Sequence, residues 1–97
     1  MHARLTTVRV QPGKIEETLD IGRNSIVPAA KERQGFKGLF LLTNSDTGKG
    51  ISLTLWETEE DLNASEESGY YQEQLGKLAE VLAEQPEKED YEVSIQV

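Results

Sequence analysis

No cysteine occurs in the 97 residues. Disulfides, thiol nucleophiles and cysteine-based zinc or iron–sulfur centres are therefore excluded. Histidine occurs once, as His2, which reads as a solvated terminal residue. Basic charge is scarce: 10 Lys and Arg stand against 18 Asp and Glu, a net charge of −8. Phosphate and anionic lipid surfaces are bound by basic faces, so neither nucleic acid nor a membrane is an expected partner. No apolar run approaches the roughly 20 residues that span a bilayer. Met1-His2-Ala3-Arg4 leads into alternating residues, not into the apolar segment of a signal peptide. These features are compatible with a cytoplasmic protein, and the length suits a single domain over residues 1–97.

The stretch Phe36 to Trp56 is the richest in information. Residues 36–43 and 51–57 are two apolar runs. Asn44-Ser45-Asp46-Thr47-Gly48-Lys49-Gly50, between them, contains the residue types that close turns. This is a β-hairpin with a long loop. Side chains alternate across a strand. One face of the first strand carries Phe36, Gly38, Phe40 and Leu42, and the other Lys37, Leu39, Leu41 and Thr43. In the second strand, Ile51, Leu53 and Leu55 alternate with Ser52, Thr54 and Trp56. Apolar side chains stand on both faces, so a sheet covered on both sides is expected.

Residues 3–10 are rich in β-branched side chains and read as a first strand ended by Pro12-Gly13. Ile15, Leu19, Gly22, Ile26 and Ala29/Ala30 then form a helical stripe. Pro28 removes a donor and crowds the carbonyl of Asn24, which predicts a kink or break near residues 24–28. Gly35 is the expected C′ residue of that helix. Thr58-Glu59-Glu60-Asp61 resembles a capping box opening an acidic helix to about Glu67, which Ser68-Gly69 interrupts. Its carboxylates are spread along a helix and do not converge as in a calcium loop, so no metal site is expected. Tyr71, Leu75, Leu78 and Leu82 form a second stripe that Gln85-Pro86 ends. In the last segment, Asp90 to Val97, Tyr91, Val93, Ile95 and Val97 alternate with polar residues, as in a strand with one buried face.

The order β-α-β-β-α-β is the α+β, ferredoxin-like arrangement, with both helical segments on one face of an antiparallel sheet. The other face keeps large apolar residues, so a second copy is expected to cover it. Leu39, Leu41, Ile51, Leu53 and Leu55 are the expected homodimer interface. Periodicity alone does not fix which strand face meets the helices.

Three segments carry a family resemblance: Val10-Gln11-Pro12-Gly13-Lys14, Gln34-Gly35-Phe36-Lys37-Gly38-Leu39 and Leu53-Thr54-Leu55-Trp56-Glu57-Thr58. With the acidic helix and the tyrosine-bearing helix that follow, the chain resembles the antibiotic biosynthesis monooxygenase family of the dimeric α/β-barrel superfamily over nearly its whole length. The resemblance implies a homodimer with sheets packed face to face and a pocket between sheet and helices in each subunit. Some members of that family oxidise polycyclic phenols to quinones with O₂ and no metal or flavin, and relatives degrade haem. Members of the first kind pair the tryptophan with an asparagine four residues earlier, where this chain has Ser52. They also use an arginine from the later helical region, and here no arginine follows Arg33. The haem-degrading relatives need a histidine on the helix after the tryptophan, so haem ligation in that manner is not expected.

A cofactor-free oxygenase needs donors that stabilise developing negative charge, a dry site and a substrate that supplies the electrons. The candidate pocket residues are Trp56 as an aromatic wall, Ser52 and Thr54 as donors on its strand face, and Tyr70 or Tyr71 from the facing helix. The ligand class is a small hydrophobic, aromatic or enolisable molecule, and no cofactor is expected. Core packing competes for the same residues. Burying a tryptophan removes roughly 150–250 Å² from water, about 4–6 kcal/mol at most, and Tyr71 shares the stripe of Leu75. A non-catalytic ligand-binding or structural domain of the same fold is the alternative function.

Overall fold

The structure, a computed structural model, describes all of residues 1–97. Four antiparallel strands form one open sheet in the order β2-β3-β1-β4. They are β1 (His2–Arg9), β2 (Phe36–Asn44), β3 (Lys49–Trp56) and β4 (Glu87–Glu92). Between β1 and β2 run α1 (Ile15–Ile21), a π-helical turn (Gly22–Ile26) and α2 (Val27–Lys31). Between β3 and β4 run α3 (Glu59–Glu67) and α4 (Tyr70–Leu78). This is the expected α+β ferredoxin-like fold. No helix is long and apolar enough to cross a membrane.

The break expected at Pro28 takes the form of a widened turn. Pro28 lies in the first turn of α2, directly after the π-helical residues. Hydrogen bonding to the fifth residue instead of the fourth draws the backbone away from the proline ring, so the helix continues without the missing donor. Gly35 is not the C′ residue. The helix ends earlier, at Lys31, and Gly35 turns the chain into β2 with φ +79°. Its carbonyl accepts a hydrogen bond from Glu57 N–H at 2.8 Å, tying that turn to the end of β3. Thr58 caps α3 as the sequence indicates, its Oγ1 accepting from Asp61 N–H at 3.0 Å.

The last strand differs from the alternating stretch read from the sequence. It covers Glu87–Glu92, and all six of its residues are exposed. Its only neighbour is β1: His2 pairs with Glu92, and Val93 N–H donates to Met1 C=O at 2.9 Å. Beyond that bond there is no strand to pair with, so Ile95 and Val97 lie exposed. Likewise α4 stops at Leu78, short of Gln85-Pro86. The chain bends there, so that Val81 and Leu82 pack on Val8 and Val10 while Leu82 bridges Val10.

The register decides the strand faces. Leu39 lies opposite Thr54 and Leu41 opposite Ser52; Phe40 lies opposite Leu53 and Leu42 opposite Ile51. Opposed residues share a face. The five residues expected at one interface therefore divide. Leu39 and Leu41 point toward the helices, whereas Ile51, Leu53 and Leu55 point away with Phe40 and Leu42. Phe40 is 58% and Leu42 55% exposed on that open face. A register shift between Phe36 and Gly38 returns Phe36 to the helical side, where its ring meets Trp56 edge-on at 5.9 Å.

Packing is concentrated at the two ends of the sheet–helix layer. Val8, Val10, Val81 and Leu82, with Ile15, Ile21 and Leu78 against them, close one end. Trp56, Leu62 and Ser65, the largest fully buried side chains, close the other. The space between the two ends is not filled.

Candidate functional site

That unfilled space is a cavity of about 270 Å³ between the sheet and the helices. β1 contributes Arg4, Thr6 and Val8; β2 contributes Leu39 and Leu41; β3 contributes Ser52 and Thr54. α1 and the π-helical turn add Leu19, Gly22 and Ile26, and α4 adds Tyr70, Tyr71, Gln74 and Leu75. The volume is at the low end of the range for small-molecule sites.

Of the residues singled out from the sequence, Ser52, Thr54, Tyr70 and Tyr71 line this cavity and Trp56 does not. Trp56 has no exposed surface. It stands behind the wall, with its indole N–H donated to Thr54 Oγ1 at 3.0 Å. Because Thr54 Oγ1 accepts that bond, its own hydroxyl proton is left to donate. Tyr71 is buried, and its hydroxyl shares a 2.7 Å hydrogen bond with Thr6 Oγ1. The Tyr70 hydroxyl makes no such bond. Its ring lies under the Arg33 guanidinium, 4.8 Å from the centroid, and Arg33 in turn donates to Ser68 Oγ at 3.0 Å. Burial raises the Tyr70 pKa above the ordinary phenol value, opposed by Arg4 and Arg33, so at neutral pH the group is a neutral donor.

Arg4 is the residue the sequence analysis missed. It occupies a β1 position whose neighbours on the same face are Thr6 and Val8, and it is only 3% exposed. Nη1 donates to Ser65 Oγ at 2.7 Å, and Ser65 donates on to Leu62 C=O at 2.6 Å. The guanidinium lies 4.1 Å from the Tyr71 ring centroid and 5.5 Å from that of Trp56. Burial lowers its pKa, and Glu66 and Asp90 are among the groups that oppose the shift. The available signal was period-two alternation, which puts an arginine on the helix-facing side of an inner strand, where an uncompensated charge is costly.

The lining holds no histidine. His2 lies against Glu59 instead, at 3.6 Å.

A four-stranded antiparallel sheet with its helices on one face and a small, partly open cavity between defines a ferredoxin-like α+β domain. The model of the antibiotic biosynthesis monooxygenase family matches residues 1–76, and the chain belongs to that family. Among solved structures, a haem degrader from Mycobacterium tuberculosis with two haems bound superposes with TM-score 0.80 at 20% identity, covering 100% of this chain and 99% of that one. A monooxygenase from Streptomyces coelicolor in complex with nanaomycin D superposes with TM-score 0.74 at 17% identity, covering 99% and 89%. Both likenesses are of fold. A Mycobacterium tuberculosis protein described as uncharacterised is 34% identical over 67 residues, 69% of this chain and 28% of its own length. Another is 29% identical over 94 residues, 97% of this chain and 41% of its own length. The chain thus matches less than half the length of these relatives.

Proposed function

We propose that the chain binds a compact aromatic or enolisable molecule in this cavity and oxygenates it with O₂, without metal or flavin. The observation that carries this reading is the cavity itself: about 270 Å³, mostly apolar, with Ser52, Thr54 and Tyr70 among its lining residues. In such a reaction the ionised substrate supplies the electrons. A ring methylene becomes a carbonyl, one atom of O₂ entering the product and the other leaving as water with the two hydrogens. The hydroxyls stabilise the enolate or phenolate oxygen. Oxygen uptake with anthrone and 2-tetralone tests this reading. Uptake above buffer that falls about 10²-fold in Tyr70→Phe, the loss typical of one oxyanion donor, supports it. No uptake with any enolisable substrate overturns it.

A second reading has its own observation. The ionisable side chains on the lining are arginines and tyrosines, none of which serves as a base at neutral pH. A domain that binds such a ligand without turning it over is expected to show a saturable rise in Tm with no oxygen consumed.

The open face of the sheet, with Phe40, Leu42, Ile51, Leu53 and Leu55, is read as the surface covered by a second copy of the chain, as the family resemblance implies.

A further inference from the structure

We propose that Arg4 makes the cavity a site for a compact planar anion, its guanidinium receiving an oxyanion borne by the ligand's ring. This rests on the reading of the cavity as a ligand site and does not require turnover.

A guanidinium carries five N–H donors. In Arg4 one hydrogen bond is made, from Nη1 to Ser65 Oγ at 2.7 Å. The nearest carboxylate, Glu66, forms an ion pair with Nη1 at 3.7 Å but stands beyond hydrogen-bonding distance. The same Glu66 oxygen receives Lys88 Nζ at 2.6 Å, and Lys88 also donates to Asp90 at 3.0 Å. Glu66 thus shares its charge between Lys88 and Arg4 and takes no hydrogen bond from the guanidinium, whose other N–H donors stay open. Tyr71 covers a face of the guanidinium at 4.1 Å. The donors lie in the guanidinium plane, so a ring on the face leaves them free. Arg4 is 3% exposed and lines the cavity, so on this proposal its spare donors serve an occupant of that cavity.

Buried charge is costly unless paired and hydrogen-bonded, so Arg4 favours an anionic occupant over a neutral one of the same shape. Planar carboxylates match its fork, and phenolates or enolates offer a single oxygen to the same donors. Arg4 therefore supplies, from the first strand, a cationic donor to the site.

Calorimetric titration of the full chain with two matched pairs tests the proposal: 1-naphthoate against 1-naphthamide, and 4-nitrophenolate against 4-nitroanisole. At least one anion is expected to bind about tenfold or more tightly than its neutral partner, the ratio that one charge-assisted hydrogen bond gives. The pair that shows it identifies carboxylate or phenolate as the preferred oxyanion. In Arg4→Gln the ratio falls to near one, and in Arg4→Lys part of it remains. Ratios near one in the wild-type chain, no binding of any probe, or a preference that survives Arg4→Gln would overturn the proposal. Where Arg4→Gln does not fold, the wild-type ratios decide. Oxygen uptake on the same preparation separates the two readings: a strong anion preference with no uptake defeats the oxygenase and leaves the anion site standing.

Discussion

Trp56 reaches the cavity only through Thr54, whose Oγ1 accepts the indole N–H at 3.0 Å. The bond is buried, and its loss strands a donor that has no other partner. Thr54→Val is expected to destabilise the fold by about 1–3 kcal/mol, whereas Thr54→Ser, which keeps the oxygen, costs less. Trp56→Ala removes a whole end of the core and costs about 3–5 kcal/mol. Urea unfolding of the three variants orders them. A Thr54→Val chain as stable as the wild type would show that the indole bond contributes nothing.

The division of the leucines makes a sharp prediction about assembly. Phe40→Asp places a charge on the open face and is expected to give a folded monomer from a wild-type dimer. Leu39→Asp places its charge against the cavity and the helices, and is expected to unfold the chain or lower its Tm without selectively splitting a dimer. Light scattering with circular dichroism distinguishes these outcomes. A wild-type monomer, or a Phe40→Asp dimer, rejects the proposed interface.

Gly35 and Gly69 both have positive φ, +79° and +86°. A Cβ at Gly69 would meet nothing within 4 Å, but one at Gly35 would lie 2.1 Å from Asp61 Oδ2 and 2.6 Å from its Cβ. Gly69→Ala is expected to cost about 1–2 kcal/mol for the left-handed backbone alone. Gly35→Ala is expected to cost more, because Asp61 opens α3 and must move as well. Equal losses in denaturant titrations would mean that Asp61 yields freely.

Stability is expected to fall in alkali. The Lys88 pKa is raised mainly by its hydrogen bond to Glu66, and the Tyr70 pKa is raised mainly by burial. A raised pKa means that the folded chain binds more protons than the unfolded one between the two values. Stability is therefore complete below the ordinary lysine and phenol pKa and is lost as pH rises through the folded ones. Lys88 is partly exposed, so its share is small after solvent screening. Thermal melts from neutral pH upward should show a decline that is shallower in Lys88→Met and Tyr70→Phe. An unchanged slope in both variants rejects the assignment.

The hairpin, the cap at Thr58 and the interruption at Ser68-Gly69 were legible because each is a local signal: alternation, a hydroxyl three residues before an N–H, a glycine. The two sides of the hairpin were not, because both carry leucines and only the pairing with β1 and the helices chooses between them. The shift between Phe36 and Gly38 was equally hidden, since it depends on Phe36 finding Trp56 across the sheet. The last strand was misplaced because Tyr91, Val93, Ile95 and Val97 alternate well, yet the pairing with β1 runs from Glu87 to Glu92 and includes Tyr91 alone of the four. Arg4 carries no local signal of its own: its environment is assembled by α3 and α4 from 61 residues and more away in the chain.

The two packed ends of the layer separate the residues that hold the fold from those that shape the hollow between. Val10, Val81 and Leu82 at one end and Trp56 and Leu62 at the other can stay fixed while Ile26, Leu41 and Leu75 change. Exchanging those three for larger or smaller apolar side chains alters the volume on offer without opening either seal. A scaffold arranged this way lets the shape of its hollow drift through single substitutions, each tolerable by itself, and makes this layer a convenient starting point for selecting new pockets.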